Sequence, residues 1–447
     1  MTLAARLPSH RLLADLYSAA VRAVAPGPAL SARLGALTLD PRVGVHLVAL
    51  GKAALPMATA AVEALRGWGR EPAGGVIVAP EYGQPPHSSL PLVVGDHPEP
   101  GPCSLAAAAA LEAAARRVAP DNEAWVLLSG GTTSLVGAPE VGISPADLSE
   151  LYRLLLGSGL DIEAMNRIRK RFSRWGGGRL ASALAPARVR VFVVSDVIGD
   201  DLASIGSGPC VPDPSTALEV RRSLEKARLW NRIPAATRHL VEAAQAGKTP
   251  ETPKPGDPAF ARVTVELVAS NRLALEAAAR RAAELRLAPI VSAAPLAGEA
   301  STAGASVAAM LLQHCGRPEF PQPCLIWGGE TTVTLGAGVG SGLGGRCQEL
   351  ALAAARALSA ATGSEGAAIL AAGTDGRDGP TDAAGAIVDR DTWTAIAAAG
   401  RNPAHDLAVH DAYHALDAAG ALLRPGLTGT NVMDVAFGIC DPPAGQR

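Results

Sequence analysis

The chain has 447 residues, 48% hydrophobic and 18% charged, with a formal net charge of −2. That length exceeds what one hydrophobic core serves and predicts two domains, while the composition excludes wholesale disorder. The near-neutral charge argues against nucleic acid or an anionic membrane as partner, and aromatics at 3% argue against a base-stacking platform, which leaves small-molecule chemistry.

The first 24 residues show helical apolar spacing interrupted by Arg and His, unlike a signal-peptide core. No run of about 18 uncharged apolar residues follows, so a soluble protein is expected. Val43 to Gly51 reads as a strand running into a turn and a helix. Further strands are predicted near Val76, Val93 and Val126 and in the run ending at Asp196, with Ala-rich helices between them. Five strands with intervening helices make a doubly wound, Rossmann-like pattern. The stretch Ala246 to Pro258 is proline-rich and aperiodic, the composition of a linker. A second series of strands is expected near Val265, Val291, Ile326 and Ile369, ending in LTGTNVMDVAFGI. The predicted division is therefore an N-terminal α/β domain at 1–250 and a C-terminal one at 251–447. Six scattered cysteines, none in a C-x-x-C pair, read as reduced thiols and favour the cytoplasm.

Glycine (48) and proline (35) make up about a fifth of the chain, above the average but below low-complexity range, which places them in ordered turns. Those turns carry the candidate chemistry, because amides without a nearby Cβ can approach phosphate oxygens. Ser129 to Ser134, Ser207-Gly208, Gly328 to Thr332 with Glu330, and Gly340 to Gly345 leading into Arg346 all lie beyond predicted strands. Gly130, Gly131, Ser134, Ser207, Gly208, Gly344 and Gly345 are the candidate nucleotide or phosphate contacts. The Walker phosphate loop is absent, since Gly51-Lys52 is followed by Ala53 and lacks the first glycine. Gly340 to Gly345 satisfies G-x-G-x-x-G, yet the acid about 20 residues on, Glu365, falls in a polar loop. Asp196 and Asp375 stand at strand ends, where hard oxygen ligands suit Mg²⁺ held with substrate phosphates; Asp200 is a further candidate ligand. Asp201, Asp378 and Asp382 are expected to make local turns instead. In the basic run from Asn166 to Arg174, Arg171 and Arg174 read as an exposed helical face, whereas Asn166, Arg169 and Lys170 could reach an anionic substrate. His97, followed by proline, reads as structural.

Together LGKAALPM, GDHPEP, LSGGTTSL, GLDIEAMNRIRKRFS, SDVIGDDLASIGSGP, GGETTVTLG, GLGGRCQELAL, AGTDGRDGPTDAAGA and GLTGTNVMDV resemble, in order and across nearly the whole chain, the glycerate 2-kinases of the MOFRL type. The resemblance implies two α/β/α domains, the second with a smaller or mixed sheet and the active site in the interdomain cleft. It implies ATP-dependent phosphorylation of D-glycerate at its 2-hydroxyl, giving 2-phospho-D-glycerate and ADP, with Mg²⁺. The family's active-site lysine and arginine fall on Lys52 and Arg346. Asp196 joins them as a catalytic candidate, and Asn166, Arg169 and Glu330 are substrate-binding candidates. The alternative is an NAD(P)H-dependent hydroxypyruvate reductase, a label some relatives have carried. Homodimerisation is left open. The chain departs from the family pattern at Gly176, where Lys is usual, at Cys347, where Asn is usual, at Arg171, where His is usual, and at Thr132-Thr133, where Ala-Ser is usual.

Overall fold

The structure, a computed structural model, describes residues 8–315, 321–336 and 342–440. It divides into two compact units, one of residues 26–268 and one that joins residues 1–25 to residues 269–447.

In the unit 26–268, six strands form one sheet: β1 (Val45–Leu50), β2 (Gly74–Ala79), β3 (Leu92–Val94), β4 (Glu123–Leu128), β5 (Arg188–Val194) and β6 (Val263–Ala269). Their order is β3-β2-β1-β4-β5-β6, and β1 to β5 pair in parallel. β1 and β4, apolar but for His46 and Glu123, are buried at every position, as strands covered on both faces must be. The chain winds one way from β1 to β3 and the other way from β4, so the order reverses between β1 and β4. In such a sheet the crevice beyond the carboxyl ends of those two strands is where ligands bind. Helix Pro145–Leu156 starts at Ser144, whose hydroxyl accepts from the Asp147 amide, and helix Ile162–Phe172 starts at Asp161, which accepts from the Ala164 amide.

In the second unit the strands are β7 (Leu287–Val291), β8 (Gln322–Gly329), β9 (Ala367–Gly373), β10 (Gly385–Asp389), β11 (Leu422–Leu423) and β12 (Asp434–Cys440). Their order is β11-β10-β9-β12-β8-β7. Only β7 and β8 pair in parallel; the other ladders are antiparallel, so this sheet is mixed. Helices Ala300–Leu312 and Arg346–Ala360 pack closely because Gly304 has no side chain; a Cβ there would lie 2.1 Å from the Leu350 carbonyl oxygen. Helix Pro8–Ala23 buries Leu13, Leu16, Tyr17 and Ala20 against β9, β12 and helix Asn271–Glu284.

The expected two-domain α/β organisation is present, but the units divide at 268/269 rather than 250/251, and the N-terminal helix goes with the second. β6, expected in the second series, closes the first sheet. The proline-rich run before it is held by side chains: Thr252 donates to Asp213 Oδ2 at 2.8 Å and the Ala217 amide donates to Glu251 Oε1 at 2.9 Å. The cysteines also differ from expectation, since Cys315 and Cys440 form a disulfide between the end of a helix and the end of β12. Cys103, Cys210, Cys324 and Cys347 are free. Among the described residues no helix is long and apolar enough to cross a membrane.

Candidate active site

The turns that follow β1 and β4 are laced together at the point where the strand order reverses. The Lys52 amide donates to the Gly130 carbonyl at 2.9 Å, and the Ala53 amide donates to Ser129 Oγ at 3.0 Å. Gly51, with φ +115°, lets this happen: a Cβ there would lie 2.3 Å from Ser129 Oγ. Asp196, two residues beyond β5, brings its carboxylate against Gly130, where a Cβ would lie 1.9 Å from Oδ2. Gly131, with φ +84°, lies between the His97 ring and the Lys52 stem; its added Cβ would meet them at 3.1 and 3.3 Å. Thr133 and Ser207 share a hydroxyl hydrogen bond of 2.8 Å, and Ser207 and Gly208 both have left-handed backbone, φ +65° and +59°. Lys52, Gly130, Gly131, Ser134, Asp196, Ser207 and Gly208, all predicted from sequence, thus form one cluster. Asp200 lies in the next turn, Ile198–Asp200, with φ +56°.

His97 was not among the predicted functional residues, yet it stands beside this cluster. Burial and then the positive charge of Lys52 lower its imidazole below the ordinary value, which favours the neutral ring. The signal in the sequence is the GDHPEP motif, whose proline after His97 reads as a turn.

Next to Gly131 opens a cavity of about 630 Å³. Gly131, Thr133 and Ser134 line one side, and residues of the two helices Pro145–Leu156 and Ile162–Phe172 line another, among them Tyr152 and Arg169. The Arg169 guanidinium stacks over the Tyr152 ring at 5.2 Å, so this predicted residue does face the cavity. Asn166 is half-buried on the same helix as Arg169. Other cations of the basic run pair within the protein, Arg167 with Glu163 at the surface. Lys170 is buried and paired with Asp213 at 3.4 Å. Burial acts to raise the Asp213 carboxyl, but the Lys170 charge and hydrogen bonds from Ser215 and Thr252 prevail and lower it. Arg171, expected on an exposed face, is buried and paired with Glu251. Arg174 reaches Glu112 at 3.0 Å.

In the second unit the focus is Arg346, the first residue of helix Arg346–Ala360. Its Nε and Nη2 donate to Asp434 at 2.5 and 2.8 Å, and Nη1 lies 3.1 Å from Glu330 Oε1. Glu330 is therefore placed as a partner of Arg346. Burial alone would lower the guanidinium, but the Asp434 carboxylate raises it and keeps it charged. Asp434 is itself buried, which pushes its carboxyl up against the pull of Arg346. Burial, and then the nearby Asp434 charge, raise the Cys347 thiol well above the ordinary range. Tyr17 donates to the Gly373 carbonyl at 2.9 Å, two residues before Asp375. Its hydroxyl is raised by burial first and then by the charge of Asp375. Neither Asp434 nor Tyr17 stood out in the sequence, because each lies in a run that reads as core.

Asp378, expected in a local turn, instead accepts from the amides of Cys347 at 3.2 Å and Gln348 at 2.8 Å. Gly345 makes room for it, since a Cβ there would lie 2.3 Å from the carboxylate. The helix start that Gly344 and Gly345 are expected to offer phosphate is thus capped by the protein's own carboxylate. Gly340 and Ser341, the beginning of that loop, lie outside the described residues. Asp375 accepts from the Arg377 amide at 3.0 Å, the local turn that the sequence reading kept for its neighbours.

Comparison with known proteins gives the family. Residues 12–242 match a domain of unknown function, DUF4147, and residues 323–434 match the MOFRL family. A solved structure of glycerate kinase from Thermotoga maritima superposes with a TM-score of 0.86 at 36% identity, covering 96% of this chain and 99% of that one. The chain belongs to the MOFRL-type glycerate kinase family. Another relative, the glycerate 2-kinase of Pyrococcus horikoshii, is 37% identical over 90% of this chain and 88% of its own. A protein of Agrobacterium vitis provisionally named hydroxypyruvate reductase is 36% identical over 96% of this chain and 93% of its own. Family membership thus spans both units and includes the turns that carry Lys52 and Arg346.

Proposed function

We propose that this chain transfers the γ-phosphoryl group of ATP to the 2-hydroxyl of D-glycerate. The observation that carries this reading is the convergence of Lys52, the Gly130-Gly131 turn and Asp196 beyond the ends of β1, β4 and β5. Phosphoryl transfer needs positioning and charge neutralisation more than covalent chemistry, and this cluster offers an ammonium, glycine amides and a carboxylate. Lys52 neutralises phosphate charge; Gly130, Gly131, Ser134, Ser207 and Gly208 hold phosphate oxygens. Arg346, kept charged and fixed in a fork by Asp434, is the anion-binding group of the second unit.

Among the described residues no three His, Cys, Asp or Glu side chains gather as a metal site. Mg²⁺ in phosphoryl transfer is held by one or two carboxylates together with substrate phosphates and water. Asp196 fits this role through its place against Gly130, beyond the end of β5. Bound there, the ion would supply neutralisation of phosphate charge.

The reductase reading is disfavoured by two contacts. Asp378 occupies the helix start where a pyrophosphate would dock, and Glu365, the nearest acid for a ribose, pairs with Arg390. The deciding assay mixes the protein with D-glycerate and Mg-ATP, follows ADP and the position of the phosphate, and in parallel follows NADH with hydroxypyruvate. ADP with 2-phospho-D-glycerate is expected, and Lys52→Ala or Arg346→Ala lowers kcat by about 100-fold or more with the fold intact. NADH oxidation without ADP would overturn the proposal.

A further inference from the structure

The cavity beside Gly131 is larger than the acceptor needs. At about 630 Å³ it falls in the range of sites that enclose ligands several times the size of a three-carbon acid. Its walls differ in chemistry. Gly131, Thr133 and Ser134 form the polar side next to Lys52, while Pro98, Pro100 and Leu156 supply flat apolar surface. Two of its lining residues, Tyr152 and Arg169, each carry a buried polar atom, the hydroxyl and Nε, without a hydrogen-bond partner in the protein. Buried polar atoms are nearly always satisfied, and where they are not, a ligand or water is the usual explanation. Arg169 is held over the Tyr152 ring, so its position is set before any ligand arrives.

We propose that this cavity is the nucleoside subsite, taking the purine and ribose of the ATP whose phosphates lie on the Gly130 to Ser134 turn. The proposal rests on the kinase reading given above and adds to it the place of the base. A nucleoside matches the arrangement in three respects: a planar ring for the apolar walls, hydroxyls and ring nitrogens for Tyr152 and Arg169, and a 5′ end for the phosphate turn. D-Glycerate, all carboxylate and hydroxyl, leaves the apolar side unused. Mobile water alone does not account for the proline and leucine surfaces.

Ala146 lines the cavity and is exposed on the first turn of helix Pro145–Leu156, so Ala146→Trp blocks the cavity without disturbing the core. Tyr152→Phe removes the unpartnered hydroxyl alone. The full chain and both variants are compared for binding of ADP and of inorganic tripolyphosphate by calorimetry, and for the KM values of ATP and D-glycerate. In Ala146→Trp, ADP affinity drops and the KM for ATP rises, each by about tenfold or more. Tripolyphosphate binding, the KM for D-glycerate and the melting temperature stay near the parent's. Tyr152→Phe weakens ADP about three- to tenfold and leaves tripolyphosphate unchanged. A rise in the KM for D-glycerate with unchanged ADP affinity assigns the cavity to the acceptor and overturns the proposal. Unchanged values throughout overturn it as well. If the parent forms no ADP from D-glycerate, the kinase reading falls, and ADP binding sensitive to Ala146→Trp still locates the nucleoside.

Discussion

At the scale of single residues, the glycines of the first unit act by what they leave empty. Gly130 does not have the positive φ that reserves a position for glycine; the nearest atoms that oppose a side chain there are those of the Asp196 carboxylate. Gly130→Ala must displace either that carboxylate or the turn that holds the Lys52 amide. If Asp196 acts in the reaction, kcat falls about tenfold or more while the melting temperature shifts by only a few degrees. Steady-state kinetics with a parallel thermal scan read both, and a near-normal kcat would remove Asp196 from the reacting centre. The place of Lys52, Gly131 and Ser207 in turns was legible in the sequence, because an apolar run that ends in glycine and hydroxyl residues marks a turn beyond a strand. Tyr152 was not, because a tyrosine at helical spacing reads as core. Only its unpartnered hydroxyl, a property of the folded neighbourhood, marks it out.

At the scale of elements, the start of helix Arg346–Ala360 is the informative case. Its glycine-rich approach reads equally as a phosphate loop or as a close backbone approach, and the arbiter, Asp378, lies 31 residues from Cys347. Burial raises the Asp378 carboxyl to about 7, its amide partners hold it down, and the nearby Asp434 charge adds to the rise. From the ordinary value up to about 7 the folded protein keeps a proton that the unfolded chain releases. This group's contribution to stability is therefore present at low pH and is lost as pH rises toward 7. The melting temperature should fall more between about pH 5 and about pH 8 in the parent than in Asp378→Asn, where nothing titrates at this position. Equal slopes in thermal scans would show that Asp378 is ionised throughout. Asp378→Ala, which leaves two amides uncapped, should cost about 1–2 kcal/mol in denaturant unfolding.

At the scale of the whole molecule, composition and periodicity were enough for two α/β sheets and for the first five strands, since each is an apolar run ending in a turn. They misplaced the seam between the units for a physical reason. Proline and charge made residues 246–258 look like solvated linker, whereas Thr252 is buried against Asp213 and Glu251 meets Arg171, contacts that no local pattern encodes. The N-terminal helix likewise looks like the opening of the first domain, yet its buried face belongs to the second unit. Tyr17 donates to Gly373, and Asp15 is bound by Arg281 at 2.7 Å. Four buried side chains, Leu13, Leu16, Tyr17 and Ala20, leave water on that side, and deleting them exposes the strands and helix they cover. A chain that begins at Pro26 should therefore keep the first unit and weaken the second. Calorimetry of the truncated protein should show a low-temperature transition split from the main one, and proteolysis should begin within residues 269–440. Adding residues 1–25 as a separate peptide should restore part of the lost stability by mass action. A truncated protein that melts in one transition at the parent's temperature would show that the helix contributes nothing to the unit it packs on.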